Sequence, residues 1–161
     1  MRAPQTAAQA RQPVTGRVLI IEDQRPLRRV LELNLAARGL QVDSAASGIP
    51  ALGLARRNSP RLIILDLGLP GMDGLEVITR LRVFCAAPIL VISARDAVTA
   101  AEDALAAGAD DYLGKPFAID DLISRIQALC AGPGHQDGSA ERPAIPPGQV
   151  SDDDGVAGSR G

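Results

Sequence analysis

The chain has 161 residues, a formal net charge of −2 and 46% hydrophobic residues, which is typical of a single soluble globular domain. The small net charge excludes a strongly basic nucleic-acid-binding surface, and no apolar run approaches the ~18 residues that a membrane span needs. The N-terminus lacks the hydrophobic segment of a signal peptide, and two cysteines fit neither a zinc site nor a disulfide framework. A cytoplasmic location is therefore expected.

The two ends of the chain differ in composition from its middle. Residues 1–16 and 132–161 have no hydrophobic periodicity, and the second stretch is rich in Gly and Pro and contains the acidic run Asp152–Asp154. Segments of this kind cannot bury a core, so both ends are predicted to be disordered tails. The predicted folded domain is residues 17–131.

Short apolar runs mark the predicted strands. The three strongest are each four residues long, rich in β-branched residues and free of polar ones: Val18–Ile21, Leu62–Leu65 and Ile89–Ile92. Two weaker strands are expected at 40–45 and 110–113. Runs that are apolar throughout are typical of parallel strands buried on both faces.

Apolar residues at three- and four-residue spacing predict helices between these strands. The first helix is expected to stop at Gly39, and the fourth, over about 97–107, at Gly108. Three residues mark the second helix: Ile49, Leu52 and Ala55. Five strand–helix units predict an α/β fold with a doubly wound, five-stranded parallel sheet and five helices.

Polar residues follow the predicted strands at the sheet edge where ligands bind in such folds. They are Glu22, Asp23, Asp66, Ser93 and Lys115. Three clustered carboxylates require a cation, and oxygen ligands in an open site suit Mg²⁺. With the metal bound, one carboxylate can act as a nucleophile toward a phosphoryl group, while the lysine and the serine stabilise its oxygens.

Each of these residues also has a purely structural interpretation. An acidic pair after a strand often caps the next helix, Asp66 can serve the Gly/Pro-rich turn that follows it, and Ser93 can cap or turn the chain. Tyr112, the only tyrosine, can be a half-buried strand residue with a solvated hydroxyl. Asp73–Gly74 is most simply the start of the third helix.

Lys115 favours the functional interpretation more strongly than the others. It is the only lysine among 17 cationic residues, which indicates a position where the planar fork of arginine does not fit. A compact ammonium that reaches one phosphoryl oxygen would occupy such a position. We expect a cis Lys115–Pro116 peptide bond, because a tight turn there would hold the lysine inward.

Four sequence blocks together resemble the receiver domain of bacterial two-component response regulators, most closely the OmpR/PhoB type. The blocks are VLIIEDQ, LIILDLGLPGMDG, PILVISAR and GADDYLGKPF, in family order over about residues 17–130. The resemblance implies a CheY-like fold with strand order 2-1-3-4-5 and a function in phosphorelay signal transduction. It also implies a regulatory phosphoacceptor rather than an enzyme, apart from catalysis of its own phosphotransfer and autodephosphorylation.

The resemblance assigns the acceptor and the metal ligands. Asp66 is the phosphoacceptor, and Mg²⁺ is bound by Glu22, Asp23, Asp66 and the backbone carbonyl of Gly68. The phosphoryl donor is a phosphohistidine on a sensor histidine kinase, so the chain needs no catalytic histidine of its own. Family members meet that kinase through the first helix, which here presents Arg25, Leu27 and Arg28.

The resemblance also assigns the residues that contact the phosphoryl group. Lys115, Ser93 and the backbone N–H of Ala94 contact its oxygens. Ser93 and Tyr112 form the switch pair: the hydroxyl moves toward the phosphoryl group and the aromatic ring turns inward. The signal is then expected to leave through a changed protein-binding surface.

The sequence departs from the OmpR/PhoB pattern in two respects. The stretch after Leu129 is about 30 residues long and has no pattern of a winged-helix domain, so direct DNA binding is not expected. The family's dimer face, built from the fourth helix, fifth strand and fifth helix, lacks most of its basic residues, which predicts at most a weak homodimer. Altered positions are Ala101, Glu102, Asp103, Ala106 and Gln127; retained ones are Asp110, Asp111, Asp121 and Arg125.

Two hypotheses therefore share the same receiver chemistry. The chain is either a stand-alone phosphoacceptor or a truncated OmpR/PhoB-type transcriptional regulator without its DNA-binding domain. A phosphatase of the haloacid dehalogenase type is disfavoured because Gly68 stands where that chemistry needs a second aspartate. A nucleotide or flavin binder is disfavoured because EDQRPLR, after the first strand, is no glycine-rich phosphate loop.

Overall fold

The computed structural model of the protein describes residues 14–131, so the predicted tails lie outside the described residues, apart from residues 14–16. Five strands and five helices alternate along this part of the chain. In order they are β1 (Arg17–Ile21), α1 (Arg25–Ala36), β2 (Gln41–Ala45), α2 (Gly48–Asn58), β3 (Leu62–Asp66), α3 (Gly74–Arg82), β4 (Ile89–Ser93), α4 (Ala97–Ala107), β5 (Asp111–Gly114) and α5 (Ile119–Cys130).

The strands form one parallel sheet in the order β2-β1-β3-β4-β5, which confirms the predicted doubly wound fold. Alternate residues of β1 face opposite layers: Leu19 and Ile21 pack with α2, α3 and α4, whereas Val18 and Ile20 pack with α1 and α5. Every residue of β3 and β4 is buried. Their apolar runs contain no polar residue because both faces of the sheet are covered.

The helices begin and end close to the predicted positions, but one of the three residues that mark α2 is not on its buried face. Ala55 is buried and Leu52 packs against the core, as predicted, whereas Ile49 is 64% exposed and Ala51 is buried instead. Gly48 explains the difference, because a Cβ atom there would lie 2.8 Å from Cγ2 of Val77. Since α2 approaches α3 this closely, its fully buried residues are small ones: Gly48, Ala51 and Ala55. None of the helices within residues 14–131 is long and apolar enough to cross a membrane.

Arg82, the last residue of α3, joins the end of its helix to the segments that enter β4 and β5. Its guanidinium donates hydrogen bonds to the carbonyl oxygens of Gly108 at 2.8 Å, Cys85 at 3.0 Å and Ala87 at 2.7 Å. It also pairs with the carboxylate of Asp110 at 2.8 Å. The Arg82 side chain is only 24% exposed, so these carbonyls have limited access to replacement water.

Arg82→Ala is expected to lower the free energy of unfolding by about 1–3 kcal/mol, because it leaves partly buried carbonyl oxygens without their donor. Urea unfolding followed by circular dichroism measures the change. Arg80→Ala is the matched control, since Arg80 lies on the same helix and makes an exposed ion pair with Glu76. That pair is expected to contribute less than about 0.5 kcal/mol. Equal losses in the two variants would contradict the structural role of Arg82.

Candidate functional site

Three carboxylates meet at the carboxyl edge of the sheet. β1 and β3 are neighbours with Ile21 beside Leu65, so Glu22, directly after β1, lies next to Asp66 at the end of β3. Glu22, Asp23 and Asp66 each offer a carboxylate oxygen, and these oxygens lie within 4.8 Å of one another. Glu22 and Asp66 are buried. The donor set is oxygen only, which is typical of a site for a hard divalent cation.

Lys115 supplies the positive charge of this cluster. Its Nζ donates to Oε2 of Glu22 at 2.9 Å and to Oδ2 of Asp66 at 3.3 Å. The lysine follows β5, on the far side of β4 from Asp66, and its peptide bond to Pro116 is cis, as predicted. Convergence of these groups therefore depends on the parallel order of the strands.

The contact between Glu22 and Lys115 changes the pKa values of both side chains. Burial raises the pKa of the Glu22 carboxyl above its ordinary value, although the hydrogen bond from Lys115 opposes this change. Burial favours the neutral form of Lys115, but its hydrogen bond to Glu22 and the charges of both carboxylates outweigh it and raise the pKa of the ammonium. Lys115 is therefore a firmly protonated cation beside the carboxylates.

Both carboxylate oxygens of Asp66 are held in place. Oδ1 accepts a hydrogen bond from the backbone N–H of Gly68 at 3.1 Å, and Oδ2 accepts one from Lys115. Asp66 thus also stabilises the turn that follows β3, as the structural interpretation predicted. The interpretation of Glu22 and Asp23 as a helix cap is wrong, because Gln24 is the N-cap of α1 and its backbone N–H donates to Oε1 of Glu22 at 2.9 Å.

The two predicted switch residues lie beside the β4–α4 loop. Ser93 is buried at the end of β4, and its Oγ accepts a hydrogen bond from the backbone N–H of Arg95 at 3.1 Å. Tyr112 is half-buried in β5, and its hydroxyl donates to the carbonyl oxygen of Arg95 at 3.2 Å. Ala94, between Ser93 and Arg95, is exposed. Both hydroxyls are therefore bonded to the backbone of one residue.

Sequence reasoning missed the roles of two arginines at this edge. Nη1 of Arg28 donates to the carbonyl oxygen of Glu22 at 2.8 Å and so supports the acidic loop. Nη2 of Arg95 donates to the carbonyl oxygen of Leu67 at 3.1 Å and to Oδ2 of Asp73 at 2.8 Å. The partners of Arg95 lie 28 and 22 positions away in the sequence, so no local pattern marks it.

Asp73 begins α3, as predicted. Its Oδ1 accepts a hydrogen bond from the backbone N–H of Leu75 at 2.8 Å, and Gly74 is the first helical residue. Its other carboxylate oxygen accepts the bond from Arg95, and this bond holds the pKa of the Asp73 carboxyl below its ordinary value. The helix cap is therefore also the anchor of an arginine from the neighbouring loop.

Comparison with known proteins gives the same family as the sequence blocks. The family model of the response regulator receiver domain matches residues 18–127. The transcriptional regulatory protein KdpE of Mycobacterium tuberculosis is 45% identical over 111 residues, which are 69% of this chain and 49% of KdpE. The response regulator MprA of Mycobacterium sp. strain KMS is 44% identical over 114 residues, 70% of this chain and 50% of MprA. The chain thus spans about half the length of these relatives.

Solved receiver structures share the fold. The receiver domain of a Francisella response regulator matches with a TM-score of 0.67 and 32% identity, covering 70% of this chain and 94% of that domain. The BeF₃-activated receiver domain of RstA from Klebsiella pneumoniae matches with a TM-score of 0.69 and 25% identity, covering 72% and 99%. The segments LIILDLGLP and VISAR by themselves resemble KdpE, and the match to KdpE over 111 residues agrees with that resemblance.

The family model, the order of the strands in the sheet and the sequence relatives all identify the same part of the chain as a receiver domain. The chain therefore belongs to the response regulator receiver domain family, whose members act in two-component phosphorelay signalling.

Proposed function

We propose that residues 17–131 form a receiver that accepts a phosphoryl group on Asp66 from the phosphohistidine of a sensor histidine kinase. One observation supports this proposal above all others: a buried pair of carboxylates, Glu22 and Asp66, is bridged by the only lysine of the chain. Asp23 completes the acidic cluster. Such a site combines a nucleophile in Asp66, a cation in Lys115 and three carboxylates that can bind a metal ion.

Mg²⁺ is the proposed cofactor, and the donor atoms fit it. Glu22, Asp23 and Asp66 would hold it through carboxylate oxygens, together with the backbone carbonyl of Gly68. When bound, Mg²⁺ would neutralise negative charge on the transferred phosphoryl oxygens. Two of the carboxylates are buried, so they are poorly solvated and gain from a divalent partner.

The proposed transfer needs no proton donor from this chain. A carboxylate oxygen of Asp66 forms a bond to phosphorus, the P–N bond of the phosphohistidine breaks, and the imidazole nitrogen keeps the electron pair. Lys115, already 3.3 Å from Asp66, then faces the phosphoryl oxygens with its positive charge, and the Ser93 hydroxyl and the Ala94 N–H donate further bonds.

Autodephosphorylation completes the proposed cycle. Water attacks phosphorus, releases inorganic phosphate and restores the Asp66 carboxylate. The chain therefore acts as a regulatory phosphoacceptor rather than as an enzyme with an external substrate. The kinase would meet the surface of α1 near Arg25, Leu27 and Arg28.

The output surface is proposed to be the α4–β5–α5 face, which a downstream protein or a weak homodimer would cover. Charges of this face are engaged within the chain: Arg125 pairs with Asp111 at 2.7 Å, and Arg82 pairs with Asp110 at 2.8 Å. Their use within the monomer supports a weak homodimer rather than a strong one. Direct DNA binding by this chain is not part of the proposal.

A cytoplasmic location belongs to the same proposal. The free state of Cys85 and Cys130 is consistent with a reducing compartment.

Incubation with acetyl phosphate tests the proposal without the kinase. Intact-protein mass spectrometry is expected to show a gain of one phosphoryl group with Mg²⁺ and none with a chelator. Borohydride trapping followed by peptide mapping is expected to place the group on Asp66. A folded sample that gains no phosphoryl group with Mg²⁺, or gains it on another residue, would overturn the proposal.

A further inference from the structure

Arg95 connects the loop that follows the proposed phosphoacceptor to both predicted switch residues. Its guanidinium reaches across to the β3–α3 loop, where it bonds to the carbonyl oxygen of Leu67 and the carboxylate of Asp73. Its own backbone N–H and carbonyl oxygen bond to the hydroxyls of Ser93 and Tyr112. The contacts of this one residue therefore reach the β3–α3 loop, β4 and β5.

The contact with Leu67 acts directly on Asp66. The peptide unit between Leu67 and Gly68 is held at both ends: its oxygen accepts bonds from the Arg95 guanidinium at 3.1 Å and from the backbone N–H of Gly74 at 3.3 Å, and its N–H donates to Oδ1 of Asp66. A rotation of this peptide would therefore withdraw the N–H from the carboxylate. The same rotation would turn the Gly68 residue, whose carbonyl is a proposed metal ligand.

We propose that Arg95 is a positioning residue for phosphoryl transfer, which orients Asp66 through the Leu67–Gly68 peptide. Its effect on the transfer rate depends on the proposed function, whereas its effect on the peptide does not. The proposal adds a route by which movement of the β4–α4 loop reaches the acceptor. When the Ser93 hydroxyl leaves the Arg95 N–H for the phosphoryl group, the loop that carries this arginine is released.

Asp73 is the anchor of this arrangement. It caps α3 with one carboxylate oxygen and binds Arg95 with the other, so the guanidinium is fixed to the first turn of a helix. The side chains of Arg95 and Asp73 are 43% and 48% exposed, and exposed ion pairs are weak. A loss of about two- to five-fold in rate, rather than complete inactivity, is therefore expected when the pair is broken.

A double-mutant cycle tests the proposal. Arg95→Ala removes the guanidinium, and Asp73→Asn removes the charge but keeps an oxygen that can cap α3. The Gly68 amide resonance of the unphosphorylated, metal-free protein is expected to shift in both single variants. Phosphorylation by acetyl phosphate at saturating Mg²⁺ is expected to slow about two- to five-fold in each, and the double variant is expected to be no slower than Arg95→Ala.

Arg80→Ala is the matched control, because it breaks an ion pair of similar exposure on α3. It is expected to leave the Gly68 resonance and the rate unchanged. Fully additive losses, or a Gly68 resonance unmoved by Arg95→Ala, would overturn the proposal. If the wild-type protein takes up no phosphoryl group, the proposed function fails, and the Gly68 resonance alone then decides the positioning role.

Discussion

Asp66→Asn is expected to abolish the Mg²⁺-dependent gain of a phosphoryl group from acetyl phosphate. The amide that replaces the carboxylate is neutral and a poor nucleophile, and it forms no acyl phosphate. Intact-protein mass spectrometry after incubation, with and without Mg²⁺, measures the result. Because Asp66 also belongs to the acidic cluster, the same change is expected to weaken Mg²⁺ binding.

The Asp66→Asn variant is expected to stay folded, within about 1 kcal/mol of wild-type stability. The amide oxygen can still accept the bond from the Gly68 N–H, and the loss of one negative charge relieves repulsion on buried Glu22. Asp96→Asn is the matched control, since Asp96 caps α4 and takes no part in the proposed transfer. Phosphorylation of Asp66→Asn at the wild-type rate would show that the acceptor is another residue.

Gly74→Ala is expected to lower the free energy of unfolding by about 3 kcal/mol. A Cβ atom at Gly74 would lie 2.5 Å from Cα of Leu67 and 2.9 Å from the carbonyl oxygen of Asp66. Both are backbone atoms, so the start of α3 must move away from the loop that follows β3. Because that movement displaces the Leu67–Gly68 peptide, phosphorylation is expected to slow as well.

Gly53→Ala separates this packing effect from the general effect of glycine replacement. Gly53 lies within α2, and a Cβ atom there would meet only the flexible side chain of Arg57, at 3.2 Å from Nη1. This substitution is expected to stabilise the protein by about 0.5–1 kcal/mol, because alanine is the better helix former. Urea unfolding measures the free energy of unfolding of both variants, which is expected to fall for Gly74→Ala and to rise for Gly53→Ala. A Gly74→Ala protein as stable as the wild type would contradict the close approach of Gly74 to the backbone of Asp66 and Leu67.

The order and type of the helices and strands, and the residues of the acidic cluster, could be predicted from the sequence alone. Apolar runs such as those of β3 and β4 are unambiguous because both faces of those strands are buried. Glu22, Asp66 and Lys115 could be predicted because each directly follows or ends a strand. In a parallel sheet of this kind, the strand ends converge on one edge, so position along the chain is enough to bring these groups together.

The exposure of Ile49 and the partners of the arginines could not be predicted from the sequence, because both depend on how distant segments pack together. The close approach of α2 to α3 at Gly48 places Ala51 in the core and leaves Ile49 exposed, and hydrophobic spacing does not encode that distance. Arg82 and Arg95 bond to carbonyl oxygens of loops distant in sequence. A long, flexible cation can reach many acceptors, and the folded arrangement of the loops selects among them.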